Sequence, residues 1–263
     1  MKSLSVRGTE LRCVDHGQGR PVLFVHGFPF DHTMWAGQID VISSQCRAIA
    51  PDLRGFGESP LPRGAVTMDT YADDLHDLLD ALRIPRVVVA GLSMGGYIAF
   101  AFYRKYASSV RALILADTRS MPDSPEVKKG RDDSAALVRD KGAAAVAEKM
   151  FPKMLTPQTI TAHAEVANAV RTLMSRQPAE GVIAALIALR DRPDSTPTLA
   201  QVVVPTLIVV GAEDTLTPPK DSEQMRDGIR GAQLAVIPNA AHLSNLEQPE
   251  AFNQAVRKFL KTL

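Results

Sequence analysis

The turn Gly91-Leu92-Ser93-Met94-Gly95 carries the residue best suited to nucleophilic chemistry. A short β-branched apolar run, 87–90, precedes this turn, and an apolar stretch without proline, 96–102, follows it. The first pattern predicts a buried strand and the second a helix. A strand that turns this sharply into a helix crowds the backbone around its central residue, so the flanking positions need glycine. The sequence therefore predicts a strained turn that exposes the hydroxyl of Ser93 at the edge of a sheet.

A serine hydroxyl needs a base within hydrogen-bond distance, and that base needs an orienting carboxylate. Asp214 and His242 each follow a predicted strand, as Ser93 does. The loops after parallel strands meet at one edge of the sheet, so we expect these three side chains to form a catalytic triad there. Asp117 also ends a predicted strand and is the alternative acid. Asp214 is favoured because it stands in Gly-Ala-Glu-Asp with a proline beyond it, while Glu213 is expected to face solvent.

Acyl transfer also needs fixed donors for the oxyanion that forms in its transition state. One predicted donor is the main-chain N–H of Met94, at the start of the helix after the nucleophile. The other is the N–H of Phe28, which follows His26 and Gly27 at the end of a strand. His26 is expected to tie this loop by a hydrogen bond rather than to act in catalysis. Three further side chains receive structural roles: Asp52 and Arg54 stabilising their own turn, and Trp35 packing in the core.

The remaining pattern predicts how these residues are positioned. Residues 3–16 are predicted to form a hairpin, and the other predicted strands are 21–25, 47–52, 112–116, 206–210 and 232–237. Helical patterns lie between them at 31–42, 68–83 and 218–228, and a closing amphipathic helix is predicted over 249–262. Apolar strands that alternate with helices indicate an α/β fold with a mostly parallel sheet covered on both faces.

The alternation is interrupted after the sixth strand. Four helical stretches follow one another there, near 125–140, 142–150, 157–176 and 179–190. About 75 residues is more than a crossover between parallel strands requires, although ordinary crossover helices are the alternative. We therefore predict a core formed by 1–118 and 196–263, with a helical cap, 119–195, lying over the carboxyl edge of the sheet.

Composition bounds the function. The chain has 263 residues and a formal net charge of +1, which gives no reason to expect nucleic acid or an anionic membrane as a partner. The two cysteines, Cys13 and Cys46, are predicted to be free thiols. No ligand cluster or phosphate-binding loop indicates a metal or another cofactor. The N-terminus has no apolar signal segment, and no apolar run reaches the ~20 residues of a membrane span, so a cytoplasmic location is expected.

Five motifs in order carry a resemblance over nearly the whole chain. They are His26-Gly27-Phe28-Pro29, Asp52-Leu53-Arg54-Gly55-Phe56-Gly57-Glu58-Ser59, Gly91-Leu92-Ser93-Met94-Gly95-Gly96, Gly211-Ala212-Glu213-Asp214 and Asn239-Ala240-Ala241-His242. This set resembles the α/β-hydrolase superfamily, whose triad runs in the chain order nucleophile, acid, histidine. Within the superfamily, the sequence is similar to small capped serine esterases and 3-oxoadipate enol-lactonase-like hydrolases. The resemblance implies the α/β-hydrolase fold and a Ser93–His242–Asp214 triad.

The expected function is hydrolysis of a small-molecule carboxylic ester or a lactone through an acyl-enzyme. A perhydrolase of the haloperoxidase type and a C–C bond hydrolase are alternatives that use the same triad. A ligand-binding protein that keeps a hydrolase site is the alternative from another class. An enol-lactone substrate would carry a free carboxylate, for which the candidate cations are Arg119, Arg131, Arg139 and Lys153.

Overall fold

Eight strands form a single sheet in this protein, for which a computed structural model describes residues 1–263. In chain order the strands are β1 (Lys2–Val6), β2 (Thr9–His16), β3 (Arg20–Val25), β4 (Cys46–Pro51), β5 (Val87–Leu92), β6 (Val110–Ala116), β7 (Thr206–Gly211) and β8 (Gln233–Ile237). Their order across the sheet is β1-β2-β4-β3-β5-β6-β7-β8. The hairpin β1–β2 joins β4 in antiparallel pairing, and every later pairing is parallel. The predicted mostly parallel sheet is confirmed.

The central strands are buried on both faces, as their continuous apolar sequences predict. In β3, Leu23 and Val25 belong to one apolar cluster, while Val22 and Phe24 belong to the other. Successive side chains of a strand point to opposite faces, so the two clusters lie on opposite sides of the sheet. This burial holds the carboxyl ends of the strands in fixed positions.

Helices cover both faces. They are α1 (Ala36–Ile42), α2 (Met68–Ala81), α3 (Met94–Tyr106), α4 (Pro125–Lys141), α5 (Ala143–Met150), α6 (Pro157–Ala162), α7 (Ala164–Ser175), α8 (Ala179–Arg190), α9 (Thr196–Leu199), α10 (Pro219–Gly228), α11 (Ser244–Glu247) and α12 (Pro249–Leu260). Apolar residues of α2, α3 and α10 join the cluster of Leu23, while those of α1 and α12 join the cluster of Val22. No helix has the length and apolar character that crossing a membrane demands.

Helices α4 to α8 lie between β6 and β7, where the sequence predicts an insertion. Within this segment, α4 packs against α8 and α5 packs against α7. The prediction of one helix over 157–176 is wrong, because the chain leaves the helical conformation at His163 (φ −125°, ψ 66°). The hydroxyl of Thr161 donates to the main-chain carbonyls of Pro157 and Gln158. Such local bonds compete with the main-chain hydrogen bonds that would continue the helix. Threonine, a β-branched residue, also has a low helix propensity.

Trp35 and the cysteines have the environments that the sequence predicts. Trp35 is fully buried, and its ring packs against Phe24 and Phe252 at centroid distances of 5.1 and 6.1 Å. It ends a short 3₁₀ turn, His32–Trp35, that leads into α1. Cys13 and Cys46 are free and buried.

Candidate active site

Ser93 lies between β5 and α3 in a strained conformation, with φ 54° and ψ −113°. A Cβ atom on Gly91 would collide with the main chain of Gly95, and one on Gly95 with the carbonyl of Val25. A hydrogen bond from the N–H of Ser93 to the carbonyl of Ala116, at 2.9 Å, helps to hold this strained conformation. The sharp strand-to-helix turn predicted around Ser93 is therefore present.

The imidazole of His242 lies between Ser93 and Asp214. Its Nε2 is 2.9 Å from the Oγ of Ser93, and its Nδ1 is 2.8 Å from the Oδ2 of Asp214. An ionised carboxylate can only accept, so Nδ1 carries the proton that is donated to Asp214. In the neutral ring Nε2 is then an acceptor that faces the hydroxyl of Ser93. This arrangement allows His242 to remove the proton of Ser93.

Local donors hold the carboxylate of Asp214. Its Oδ1 accepts from the N–H groups of Leu216 and Thr217 at 2.8 and 3.0 Å, and its Oδ2 accepts from the hydroxyl of Thr217 at 2.7 Å. Burial raises the pKa of Asp214, but the charge of His242 and these hydrogen bonds lower it below its ordinary value. Burial likewise lowers the pKa of His242, and Asp214 raises it by more. Each group therefore favours the charged form of the other.

Asp117, the alternative acid, follows β6 and has different partners. Its Oδ1 accepts from the N–H of Gly211 at 2.8 Å, and its Oδ2 lies 2.5 Å from the Oγ of Ser244. Burial and the nearby charge of Asp214 raise the pKa of Asp117 to about 8. The carboxyl group of Asp117 thus ties β6 to β7 and to the start of α11, while His242 makes its hydrogen bond to Asp214.

The two predicted oxyanion donors are main-chain groups next to Ser93 and His26. Met94 is the first residue of α3, where helix N–H groups have no partner within the helix. Phe28 is buried, its N–H makes no hydrogen bond within the protein, and its ring meets Phe56 edge-on at 6.3 Å. Both residues line the cavity that contains Ser93.

His26 ties the loop after β3 to the loop after β4. Its Nδ1 donates to the carbonyl of Gly27 at 2.9 Å, and its Nε2 accepts from the N–H of Leu53 at 3.0 Å. Burial lowers the pKa of His26, which keeps the ring neutral. These contacts agree with the tethering role that the sequence predicts for this histidine.

The expectation that Asp52 and Arg54 stabilise their own turn is met only in part. Asp52 Oδ2 accepts from the N–H of Glu58 within that turn, at 2.9 Å, and Asp52 Oδ1 accepts from the N–H of His32. Arg54 instead forms an ion pair with Asp74 of α2, so the prediction for Arg54 is wrong. A buried guanidinium needs a full counter-charge. The carboxylates of its own turn, Asp52 and Glu58, are bonded to other partners, whereas Asp74 is buried beside it.

A cavity of about 310 Å³ opens above Ser93. Its lining residues are Phe28, Ser93, Met94, Tyr97, Arg119, Val127, Arg131, Met150, Met154, Leu189, Thr215, Leu216, Thr217 and His242. Of the four cations considered from sequence, Arg119 and Arg131 line this cavity. Arg139 and Lys153 are exposed and do not.

Three arginines converge on the buried carboxylate of Asp123. Arg119 Nη2 and Arg131 Nε each lie 3.1 Å from an oxygen of Asp123, and Arg192 Nη1 lies 2.7 Å away. Asp221 is the second carboxylate near this group, 3.9 Å from Arg119. The Nε of Arg119 is buried and has no hydrogen-bond partner. Arg119 and Arg131, which line the cavity, therefore share the carboxylate of Asp123 with Arg192, and the Nε of Arg119 is left without a partner.

Asp31, His32 and Asp52 place potential metal-ligand atoms within 4.8 Å of one another. Protein donors already occupy these oxygens. Asp52 Oδ1 lies 2.6 Å from His32 Nδ1, and Asp31 Oδ2 accepts from Arg176 at 2.6 Å. Hydrogen bonding accounts for the arrangement of this cluster.

Known proteins resemble this chain over most of its length. The family model described as "Alpha/beta hydrolase family" matches residues 22–255. This chain belongs to that family. A solved thermophilic esterase from Thermogutta terrifontis, with malate bound, is similar to this hydrolase at 45% identity and a TM-score of 0.95. That match covers 99% of this chain and 96% of the esterase.

Two lactonases are also similar to this hydrolase. The 3-oxoadipate enol-lactonase 2 of Acinetobacter baylyi is 30% identical over 261 residues, which cover 98% of this chain and 96% of the relative. The solved enol-lactonase from Burkholderia xenovorans LB400 has 29% identity and a TM-score of 0.92, covering 99% of this chain and 100% of the other. The predicted membership of the α/β-hydrolase superfamily and the predicted fold are confirmed.

Two supporting groups of this hydrolase were not predicted from its sequence. Thr217 lies three residues after Asp214, and its N–H and hydroxyl both donate to that carboxylate. An Asp-x-x-Thr spacing at the end of a strand is therefore a local signal by which this contact could be predicted. The contacts of Asp123 join residues far apart in the chain, and no local pattern indicates them.

Proposed function

We propose that this chain is a serine hydrolase that cleaves carboxylic esters through an acyl-enzyme. The observation that carries the proposal is the continuous hydrogen-bonded series from Asp214 through His242 to Ser93, with distances of 2.8 and 2.9 Å. A nucleophile, a base and an orienting carboxylate in this geometry are the requirements of acyl transfer. The esterase relative supports the same reaction class.

In this proposal each residue has one role. Ser93 attacks the ester carbonyl while His242 takes its proton, and the negative charge of Asp214 stabilises the imidazolium that forms. The N–H groups of Met94 and Phe28 donate to the developing oxyanion. His242 then gives the proton to the leaving alkoxide. A water molecule, activated by the same histidine, releases the acid and regenerates Ser93.

We also propose that residues 119–195 act as a cap over this site. The cavity is lined from both parts of the chain: Val127, Met150, Met154 and Leu189 come from the insertion, while Ser93 and His242 come from loops of the sheet. The apolar side chains of the insertion would exclude water and shape the space for the acyl or alcohol group.

A second candidate substrate is an ester or lactone that carries a free carboxylate. Arg119 and Arg131 favour it, because both line the cavity and the buried Nε of Arg119 has no partner. A guanidinium binds a carboxylate through fixed, paired donors. The names of the lactonase relatives and the malate in the esterase relative, which is itself a dicarboxylate, support this reading.

Replacing Ser93 with alanine tests the proposed reaction. We expect turnover of p-nitrophenyl acetate to fall by about 10⁶-fold, and labelling by a fluorophosphonate to disappear. Ser108→Ala, at an exposed position, is the matched control and should change neither. Full activity in a folded Ser93→Ala protein would contradict the proposal.

Arginine variants separate the two substrate classes. With Arg119→Met or Arg131→Met, kcat/KM for a carboxylate-bearing lactone should fall about 10- to 100-fold, while that for p-nitrophenyl acetate should stay unchanged. Arg139→Met, at an exposed position of α4, is the control. A wild-type preference for neutral esters would exclude the carboxylate-bearing class.

Perhydrolysis and C–C bond cleavage use the same three residues and remain predicted alternatives. A peroxide-dependent halogenation assay tests the first, and turnover of a vinylogous dioxo acid tests the second. A fluorophosphonate that fails to label wild-type Ser93 would favour a ligand-binding protein instead.

A further inference from the structure

The loop that carries Phe28 is held by the side chain of Asp31, which is only 1% exposed. Its Oδ1 accepts from the N–H and the hydroxyl of Thr33, at 3.0 and 2.5 Å. Asp31 thereby caps the 3₁₀ turn His32–Trp35. This half of the carboxylate is used locally, as expected for an N-terminal cap.

The other oxygen of Asp31 binds the helical insertion. Its Oδ2 accepts from Nε and Nη2 of Arg176 at 3.0 and 2.6 Å, and from Nε2 of Gln177 at 2.8 Å. Both partners lie between α7 and α8. The Oε1 of Gln177 also accepts from the N–H of Gly57 at 2.9 Å. Residues 176–177 of the insertion therefore join the loops after β3 and β4.

These bonds involve a buried charge. Burial raises the pKa of Asp31, but hydrogen bonds from Thr33, Gln177 and Arg176 lower it to about 2, so the group is ionised at neutral pH. Charge-assisted hydrogen bonds are shorter and stronger than neutral ones. A buried carboxylate that loses its donors is strongly unfavourable, so the loop and the insertion are held firmly together.

Main-chain bonds connect Asp31 to Phe28. The N–H of Phe30 donates to the carbonyl of Gly27 at 3.0 Å, and the N–H of Met34 donates to the carbonyl of Asp31 at 3.2 Å. The N–H of Gly27 lies 3.2 Å from the sulfur of Met34. Residues 27–34 thus form one hydrogen-bonded unit, and a displacement of Asp31 would move the N–H of Phe28.

We propose that Asp31 is a positioning residue through which residues 176–177 of the insertion hold the oxyanion donor Phe28 in place. This proposal rests on the proposed function, since Phe28 has this role only in acyl transfer. A displacement of a catalytic group by about 1 Å can lower the rate by about 10²-fold. The helical insertion would therefore contribute to the chemical step as well as to the shape of the cavity.

Asp31→Asn tests the proposal. Asparagine caps a helical turn as well as aspartate does, so the contact with Thr33 is kept while the charge facing Arg176 and Gln177 is lost. We expect kcat for p-nitrophenyl acetate to fall roughly 10- to 100-fold, with KM changed by no more than about twofold. The rate of Ser93 phosphonylation should fall in parallel, because the phosphonyl oxygen occupies the oxyanion site.

Arg176→Met is the second variant, at a side chain that is 47% exposed and can be replaced without a buried void. It should also lower kcat. The double variant should be no slower than Asp31→Asn alone, because the two changes break the same contact between Asp31 and Arg176. Asp132→Asn is the matched control. Its carboxylate is 55% exposed and pairs with Arg190 of the same insertion at 2.6 Å, so kcat should not change.

The outcomes separate the two proposals. A wild-type protein that hydrolyses the ester, with Asp31→Asn and Arg176→Met at the wild-type kcat and phosphonylation rate, would overturn the positioning role and leave the proposed function intact. If Asp31→Asn does not fold, Arg176→Met decides by the same measurements. A wild-type protein in which Ser93 is not phosphonylated would overturn the proposed function itself.

Discussion

Asp214 and Asp117 follow neighbouring parallel strands, both are buried, and both lie near His242, yet their surroundings differ. Asp214 accepts hydrogen bonds from His242 and from three donors within its own loop. Asp117 has the N–H of Gly211 and the hydroxyl of Ser244 as its partners. The pKa of Asp214 is lowered by these contacts despite burial, while burial and the charge of Asp214 raise the pKa of Asp117 to about 8.

The difference shows how two carboxyl groups at the same edge of the sheet can have pKa values shifted in opposite directions. Residue type and position at a strand end are the same for both. The loop after β7 supplies donors and a cationic partner that stabilise the ionised form of Asp214. Asp117 receives only neutral donors and faces a second negative charge. We therefore expect Asp214 to act as the orienting carboxylate and Asp117 to connect strands.

Of the changes that distinguish the two carboxyl groups, Asp214→Asn is expected to have the largest effect. An asparagine can donate to Nδ1 of His242 and so favour the wrong tautomer, which should lower kcat by about 10⁴-fold. Steady-state hydrolysis of p-nitrophenyl acetate measures it, with Asp117→Asn as the matched control. A larger loss in Asp117→Asn than in Asp214→Asn would reverse the assignment of the acid.

A smaller loss of kcat is expected for Thr217→Val. This change removes the hydroxyl that donates to Asp214 Oδ2 and keeps the size of the side chain, so kcat should fall about tenfold. The same ester assay measures it. An unchanged kcat would mean that the main-chain donors of Leu216 and Thr217 alone hold the carboxylate.

The pH dependence of kcat/KM distinguishes the two carboxyl groups in another way. His242 must be neutral to accept a proton, so activity falls as the pH falls through its pKa. Burial lowers this pKa, but Asp214 raises it above the ordinary value of 6.5, so the acid limb should lie above pH 6.5. Asp214→Asn removes the charge and should move the limb to lower pH, by more than Asp117→Asn does. Equal shifts in the two variants would contradict their different roles.

The smallest effect on kcat is expected for Asp117→Asn, whose main consequence concerns stability. Its folded-state pKa of about 8 lies above the reference value of 3.8, so the folded chain keeps a proton that the unfolded chain releases. The free energy of unfolding of the wild type therefore falls as the pH rises through this window. Asparagine does not titrate, so between pH 5 and pH 8 the free energy of unfolding of the variant should gain roughly 3 kcal/mol on that of the wild type, or about 10 °C in Tm.

Thermal unfolding of both proteins at the two pH values measures this gain. The kcat of Asp117→Asn should stay within about threefold of the wild type, because the introduced amide can bond to Gly211 and Ser244 as the acid does. The exposed Asp132→Asn variant should show no such change of stability with pH. If Asp117→Asn loses stability relative to the wild type as the pH rises, Asp117 is ionised in the fold.

Local signals were sufficient to predict the turn at Ser93 and the positions of Asp214 and His242. Backbone crowding makes glycine necessary around Ser93, and strand ends are visible as the limits of apolar runs. The partner of Arg54 could not be predicted in this way, because Asp74 lies on a helix that only the packed fold brings near. The same holds for Asp31, whose partners come from the insertion far along the chain.

The break at His163 could not be predicted for a different reason. No glycine or proline marks it, and the competing bonds come from the hydroxyl of Thr161, a residue type that is also found within helices. The cavity is equally hidden in sequence, because its lining combines loops of the sheet with side chains of four helices, α3, α4, α5 and α8.

The most direct test of whether Asp214, and not Asp117, orients His242 is the rate of Ser93 phosphonylation in the wild type, Asp214→Asn and Asp117→Asn. Intact-protein mass spectrometry after fluorophosphonate treatment follows one adduct per chain and needs no natural substrate. We expect similar rates for the wild type and Asp117→Asn, and a rate lower by about 10³-fold for Asp214→Asn. Rapid labelling of Asp214→Asn together with slow labelling of Asp117→Asn would contradict this assignment.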